Sequence, residues 1–207
     1  MKQKTFLFDF DGTLTDSMPA VLKIMNIVFE EYKFKIDKKV IVDILKDQGV
    51  KKVFKEFRVP FYRIPWLIKK YREEFKKEVL FLKPVAGIKT ALDKLKDTGI
   101  KMGIITTNGR DSVEKFLKAN QLDIFDYICA DIRIFGKSKA IKKIIKLNKL
   151  DPSNTFFIGD EARDIEAAKK AGVKSVAITW GFQTGTSLQK ENPDYILNNP
   201  DALLGIK

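Results

Sequence analysis

The chain of 207 residues is 44% hydrophobic, and its 39 Lys and Arg outnumber its 27 Asp and Glu to give a formal net charge of +12. This length and apolar content predict one substantial core, with room for a smaller inserted unit, and argue against a disordered chain. The sequence has no histidine, which excludes Ser/His/Asp and Cys/His catalysis and imidazole metal ligands, so acid and base chemistry must fall to carboxylates or lysine.

Short apolar runs alternate with helical patterns along most of the chain. The runs are rich in β-branched and aromatic residues, and several lead into polar or Gly-containing turns, which is typical of buried parallel strands. They lie at residues 5–10, 101–105, 127–130, 155–158 and 175–178. The helical pattern before the last run stops at Gly172. This βαβ alternation predicts an α/β fold with a doubly wound, Rossmann-like parallel sheet.

Residues 18–82 break the alternation, because apolar positions there recur almost only at helical spacing. The block is too long for a simple crossover connection. We therefore predict an all-helical cap domain at residues 17–82, inserted into an α/β core of residues 1–16 and 83–207. Within the cap, the aromatic segment 57–66 with its two arginines either lines a substrate entrance or forms a packed turn between helices.

Two carboxylates, Asp9 and Asp11, stand at the exit of the first predicted strand. Side chains at i and i+2 of a strand share one face at roughly 6 to 7 Å separation, so these acids would repel each other. A cation or a reacting group between them would remove that repulsion, and a divalent metal is one candidate. A plain Asp-Gly turn at the end of a strand is the alternative interpretation of the dipeptide alone.

Two other strand ends carry groups of polar residues. Thr106, Thr107 and Asn108 follow the second predicted strand, and Asp160 and Asp164 follow the fourth. Ligands of open α/β sheets bind beyond the carboxyl ends of the strands, so these side chains are candidates for one common site. The two acids point the same way if a helix begins at once, because residues four apart lie on one helix face.

A lysine is the candidate for a fixed cation at this edge of the sheet. Lys137 stands immediately before a predicted helix, which we expect Ser138 to cap, and Lys139 is the fallback. A helix N-terminus would add its dipole to the charge of the ammonium group.

The segment 9–13, Asp-Phe-Asp-Gly-Thr, resembles the first signature of the haloacid dehalogenase superfamily. The three later groups of polar residues follow in the order and strand context of that superfamily. The tail segments 179–182 and 193–197 are similar to those of phosphoglycolate phosphatase-like members. The resemblance covers nearly the whole chain and implies the same α/β fold with an inserted helical cap.

The resemblance implies a role for each candidate residue. It makes Asp9 a covalent nucleophile and Asp11 an acid/base, and the presence of this second acid argues against halide displacement. It assigns Mg²⁺ to Asp9, the backbone carbonyl of Asp11 and Asp160, while Asp164 orients a ligand or water. The residues that it assigns to the phosphoryl group are Thr106, Thr107, Asn108 and Lys137. Which threonine supplies the hydroxyl is left open.

The function implied is that of a Mg²⁺-dependent phosphatase that hydrolyses a small phosphomonoester, phosphoglycolate-like or sugar-phosphate-like, through an aspartyl-phosphate intermediate. Three alternatives remain at this point. A phosphosugar mutase would share every motif, and a phosphonate hydrolase would need a cap lysine as a Schiff base. A non-catalytic protein could instead bind nucleic acid through its basic surface.

The expected partner is a small phosphorylated metabolite, and the protein is expected to be a monomer or homodimer. No run of five or more basic residues occurs, so we expect no nucleic-acid partner. No apolar stretch reaches the roughly 18 to 20 residues that span a bilayer, so we expect no membrane partner either. The lone cysteine, Cys129, fits a reducing compartment, and we expect a cytoplasmic protein.

Overall fold

A parallel sheet forms the centre of the molecule. The computed structural model describes residues 3–31, 38–133 and 136–206. Its strands are β1 (Thr5–Phe8), β2 (Lys101–Ile105), β3 (Tyr127–Cys129), β4 (Thr155–Gly159), β5 (Lys174–Ile178) and β6 (Tyr195–Leu197). They lie in the order β3-β2-β1-β4-β5-β6, and every neighbouring pair is parallel. The five predicted strands are confirmed, and β6 is a sixth that the sequence did not predict.

Apolar side chains cover both faces of the sheet. Successive residues of a strand point to opposite faces, so Phe6 and Phe8 belong to one buried cluster and Leu7 to another. Because neither face meets water, β1 is buried at every position, and its last three residues are apolar rather than alternating with polar ones. The strand is also central, between β2 and β4, so the loops that follow these three strands meet at one edge of the sheet.

The helices follow the predicted alternation. They are α1 (Met18–Glu31), α2 (Lys38–Glu56), α3 (Ile64–Glu78), α4 (Ile88–Asp97), α5 (Arg110–Ala119), α6 (Lys137–Asn148), α7 (Ala162–Ala171) and α8 (Gly185–Gln189). Helix α7 ends at Gly172, as predicted, where a φ of 77° places the glycine in the left-handed region. In the ranges given above, none of the helices combines the length and apolar character needed to cross a membrane.

From Met18 to Phe81 the regular elements of the described residues are all helices or 3₁₀ turns, which confirms a helical insertion after β1. Helices α1 and α3 pack against each other. Helix α2 is interrupted at Gly49, whose φ of 73° and ψ of −178° are not helical. The bounds predicted for a separate cap domain, residues 17–82, stay a prediction.

Two groups of hydrogen bonds among the described residues join the inserted helices to the core. On α3, Arg72 Nη2 donates to the carbonyl oxygen of Ile132, just after β3, at 3.2 Å. On α2, the carbonyl oxygen of Lys46 accepts from the Thr184 N–H at 3.0 Å, and Asp47 Oδ1 accepts from Ser187 Oγ at 3.1 Å. These contacts hold the helical segment over the edge of the sheet where the polar loops meet.

Candidate active site

Three carboxylates, one that follows β1 and two that follow β4, meet at the carboxyl edge of the sheet. Oxygen atoms of Asp9, Asp160 and Asp164 lie within 4.8 Å of one another, and all three residues are buried. The Asp9 N–H donates to the Ile158 carbonyl at 2.8 Å, so the ladder between β1 and β4 fixes the backbone at Asp9. The structure thus brings together residues that lie more than 150 positions apart in the sequence.

Lys137 is the cation at the centre of this cluster. Its Nζ lies 2.7 Å from Asp9 Oδ2 and 2.5 Å from Asp164 Oδ1, and its side chain is 3% exposed. Burial acts to lower the pKa of Lys137, but the charges of Asp164 and Asp9 raise it above its usual value. Burial raises the pKa of Asp9 to about 7, against the opposing charge of Lys137. The ammonium group therefore stays protonated and holds the Asp9 carboxyl in place.

The start of α6 differs from the prediction. The helix begins at Lys137 itself, and its N-cap residue is Gly136. The prediction that Ser138 caps the helix is wrong, because Ser138 already lies within the first turn. Lys139, the fallback cation, is exposed, whereas Lys137 is buried against the acids.

Asp160 is held by two fixed donors. Thr13 Oγ1 donates to its Oδ1 at 3.0 Å, and the Phe182 N–H donates to its Oδ2 at 2.7 Å. Gly12 and Gly181 flank the carboxylate so closely that a Cβ at either position would overlap it. Burial raises the pKa of Asp160 well above its usual value, and the charges of Glu161 and Asp9 add to this effect.

Asp11 has one bound oxygen and one free oxygen. Its Oδ2 accepts from Asn108 Nδ2 at 2.7 Å, whereas its Oδ1 is buried and accepts no hydrogen bond from the described residues. Burial raises the pKa of Asp11 to about 6, although the nearby Ser17 hydroxyl and the hydrogen bond from Asn108 act to lower it. A carboxyl group with a pKa in this range can give and take a proton near neutral pH, as a general acid/base must.

The polar residues after β2 have different surroundings. Thr106 is buried, and its Oγ1 accepts from the Asn108 N–H at 3.1 Å, which stabilises the turn. Thr107 is half-buried and faces the cavity described below. The side-chain amide nitrogen of Asn108 is bonded to Asp11, so it orients that carboxyl. Which of the two threonine hydroxyls binds a phosphoryl oxygen stays a prediction.

The donor set of this site suits a divalent cation. Carboxyl groups outnumber cationic side chains by three: Asp9, Asp11, Asp160, Glu161 and Asp164 face Lys137 and Arg163. Such an excess of negative charge is costly away from water unless a cation neutralises it. Oxygen atoms of carboxylates are also the ligands that Mg²⁺ prefers. The residues present therefore fit a Mg²⁺ ion beside Asp9 and Asp160.

A cavity of about 130 Å³ lies between the inserted helices and the loops of the sheet. Its core side is lined by Asp11, Thr107, Glu161, Arg163 and Phe182, and its other side by residues of α1, α2 and α3. The Arg163 Nε donates to Glu161 Oε2, so these two charged side chains are paired.

The aromatic segment 57–66 does not line this cavity. Phe61 is 84% exposed and Tyr62 is 75% exposed, so their rings neither reach the cavity nor pack in a turn. Phe57 and Val59 of the same segment pack against buried apolar clusters, which agrees with the alternative interpretation of a packed turn between helices. On α3 the lining begins at Leu67, one residue beyond the segment.

Three residues beside the acids were missed by sequence reasoning: Tyr71, Arg72 and Arg163. Burial raises the pKa of Tyr71 well above its usual value, and the charge of Asp11 adds to this effect, so the phenol stays neutral. Arg163 lies between Asp160 and Asp164 in the sequence, but its spacing from these acids does not predict that it lines a cavity. Tyr71 and Arg72 belong to a helical pattern whose orientation over the sheet cannot be read from its period.

The chain is similar throughout to known hydrolases. A family model described as haloacid dehalogenase-like hydrolase matches residues 6–178. The phosphoglycolate phosphatase of Synechococcus elongatus is 29% identical over 203 residues, which cover 97% of this chain and 95% of that protein. The pyrophosphatase PpaX of Bacillus mycoides is 28% identical over 213 residues, which cover 100% of this chain and 97% of that protein.

Solved structures share the fold. A haloacid dehalogenase-like family hydrolase from Streptococcus pneumoniae superposes with a TM-score of 0.81 at 23% identity, over 98% of this chain and 97% of that chain. A hydrolase from Pseudomonas syringae superposes with a TM-score of 0.80 at 21% identity, over the same shares of the two chains. At these identities the likeness concerns the fold alone.

Proposed function

Because the chain belongs to the haloacid dehalogenase-like hydrolase family, we propose that it is a Mg²⁺-dependent phosphatase that hydrolyses a small phosphomonoester through an aspartyl phosphate on Asp9. The observation that carries this proposal is the buried arrangement of Asp9, Lys137 and Asp164 beside Asp160. Its relatives named phosphoglycolate phosphatase and pyrophosphatase act on small phosphorylated compounds, in agreement with it.

The first step transfers the phosphoryl group to the protein. A carboxylate oxygen of Asp9 forms a bond to phosphorus while the ester P–O bond breaks. The leaving oxygen takes the proton of the Asp11 carboxyl, whose Oδ1 is free to donate. Lys137 Nζ, fixed by Asp9 and Asp164, stabilises the negative charge on the phosphoryl oxygens.

The second step regenerates the enzyme. Water attacks phosphorus and gives a proton to the Asp11 carboxylate, while the bond between Asp9 and phosphorus breaks and inorganic phosphate is released. The same acid thus serves in both steps, which suits a pKa of about 6. The inserted helices form one wall of the cavity beside Asp11 and so reduce the contact of the reacting groups with bulk water.

A Mg²⁺ ion would be held by Asp9 and Asp160, with the backbone carbonyl of Asp11 as a further ligand. When bound, it supplies positive charge that offsets the excess of carboxylates and the charge of the phosphoryl group. Asp160 is prepared for this role, because Thr13 and the Phe182 N–H fix both of its oxygens. Asp164, bonded to Lys137, orients that lysine.

The test is release of inorganic phosphate from a panel of phosphomonoesters, with Mg²⁺ and with a chelator. We expect hydrolysis that depends on Mg²⁺ and that is lost in Asp9→Asn. Asp93→Asn is a suitable control, because Asp93 is exposed on α4, outside the site. Hydrolysis that a chelator leaves unchanged contradicts the metal site, and no hydrolysis of any ester contradicts the function.

Pyrophosphate is the second candidate substrate, favoured by the relatives named PpaX. It would use the same residues, with phosphate as the leaving group. When pyrophosphate is assayed beside the phosphomonoesters, the relative kcat/KM values distinguish the two candidate substrates directly. Glucose 1-phosphate belongs in the panel as well, because a mutase would convert it to an isomer without releasing phosphate.

A further inference from the structure

The position of Asp11 identifies the space for the leaving group. If Asp11 protonates the leaving oxygen, the rest of the leaving group must extend into space that Asp11 borders. The cavity of about 130 Å³ has Asp11 in its wall, together with Thr107 on the same side. The chemistry of this cavity should therefore decide which phosphomonoesters are good substrates.

The cavity is apolar on the side away from Asp11. Side chains from all three inserted helices form this wall, among them Val21, Met25, Leu45, Phe54, Leu67 and Ile68. The core contributes one more apolar side chain, Phe182. Tyr71 and Arg72 are the polar side chains among the described residues of this wall. A carboxylate, phosphate or sugar hydroxyl placed against its apolar side chains would lose more water contacts than these two groups can replace.

The cations that border the cavity already have partners. Arg163 is paired with Glu161. The guanidinium of Arg72 lies 3.5 Å from Asp131 Oδ1 and donates to the Ile132 carbonyl, which leaves its buried Nε without a partner among the described residues. That single N–H suits one neutral acceptor, such as an ether oxygen, because the charge of the arginine is already matched.

The size of the cavity limits the leaving group. An apolar cavity of about 150 Å³ in another protein stays dry and binds benzene, so a cavity slightly smaller than this takes a short branched alkyl group. Such a group would bury apolar surface against the side chains of the inserted helices.

From this geometry we infer that the preferred substrates are phosphomonoesters with a compact, uncharged and apolar leaving group, of the size of a butyl group. The inference rests on the proposed phosphatase function and specifies its substrate class. It differs from the expectation of a phosphoglycolate-like or sugar-phosphate-like substrate, because glycolate carries a charge and a sugar carries many hydroxyls.

A matched pair of substrates tests the inference. Isobutyl phosphate and 2-phosphoglycolate have the same number and branching of non-hydrogen atoms, and they differ in two methyl groups against a carboxylate. We expect kcat/KM for isobutyl phosphate to exceed that for 2-phosphoglycolate by about tenfold or more.

A series of alkyl phosphates provides a second test. Along the series from methyl to n-butyl phosphate, kcat/KM should rise by about fourfold for each methylene until the cavity is full. The alcohols released are equally poor leaving groups, so intrinsic reactivity stays constant along the series.

Two conservative variants report on the cavity wall. Met25→Gln places an amide in the wall and should lower the ratio of kcat/KM for n-butyl phosphate to that for methyl phosphate. Val21→Ile adds one methylene to the wall and fills part of the cavity. The rise of kcat/KM along the alkyl series should therefore stop at a chain about one carbon shorter. The control is Ile27→Gln, on the same helix but 36% exposed and outside the wall, which should leave both patterns unchanged.

The outcomes separate the two proposals. If the protein hydrolyses these esters but prefers 2-phosphoglycolate, or shows no rise along the alkyl series, the inference is wrong and the phosphatase function stands. If Met25→Gln and Val21→Ile fold and leave both patterns unchanged, the cavity is not the leaving-group site. If no ester is hydrolysed in the presence of Mg²⁺, the proposed function fails, and the inference fails with it.

Discussion

Replacement of Lys137 by methionine removes the cation at the centre of the acidic cluster. Lys137 Nζ lies 2.7 Å from Asp9 Oδ2 and 2.5 Å from Asp164 Oδ1, and none of the three side chains is more than 4% exposed. Methionine fills a similar volume, so the change leaves two buried carboxyl groups without their charge partner. Breaking a buried ion pair in this way costs about 3–5 kcal/mol.

The size of this loss should depend on pH. Lys137 lowers the pKa of Asp9, so its removal moves the folded-state pKa of Asp9 further above the unfolded value. The folded state of Lys137→Met then binds more protons than the unfolded state, and its free energy of unfolding falls as pH rises. At low pH Asp9 is protonated and carries no charge for Lys137 to match, so the deficit relative to the parent protein should be smallest there.

The assay is urea unfolding of the parent protein, Lys137→Met and Lys139→Met in the presence of a chelator at pH 6 and pH 8. Lys139 is exposed on the same helix, so Lys139→Met should stay within about 0.5 kcal/mol of the parent protein. In the presence of Mg²⁺, Lys137→Met should also lose about 10²–10³-fold in kcat, the usual cost of removing one transition-state donor. Equal stability of Lys137→Met and the parent protein at pH 8 would refute the reasoning.

Three further predictions test other parts of the site. Asp11→Asn should lower kcat for alkyl phosphates by about 10²–10⁴-fold, yet lower it far less for p-nitrophenyl phosphate, whose leaving group needs no proton; an equal loss on both would contradict the acid role. Gly12→Ala should weaken Mg²⁺ activation more than Gly99→Ala, because both glycines have positive φ but a Cβ overlaps Asp160 only at position 12; equal effects in an activity titration would point to backbone strain alone. Mg²⁺ should raise the melting temperature of the parent protein and not that of Asp160→Asn; calorimetry that shows the same rise in both would place the ion elsewhere.

The sequence predicts those parts of the fold and site that depend on local pattern. Parallel strands are apolar throughout, and the polar groups of such a sheet are confined to strand ends, so Asp9 and Asp160 stand out in the sequence. Their distance from each other is set by the pairing of β1 with β4, which the resemblance to known hydrolases implies and the structure describes. The roles of these residues stay a prediction.

The parts that were missed depend on tertiary context. Strand β6 has three residues, two of them half-buried, and it is recognisable mainly by its pairing with β5. The N-cap of α6 is Gly136, two residues before Ser138, a shift that local preferences do not resolve. The cavity wall comes from helices whose apolar face is predictable but whose docking over the sheet is not, so Leu67 and Tyr71 gave no signal.

The most direct test of the account is to trap the covalent intermediate. The protein is mixed with substrate and Mg²⁺, quenched in acid within the first turnover, treated with borohydride and digested for mass spectrometry. The account predicts that Asp9 is converted to homoserine, the reduction product of an aspartyl phosphate, and that other acids in the site are unchanged. Turnover at the full rate with Asp9 unmodified, or a folded Asp9→Asn variant that keeps the parent's activity, would contradict it.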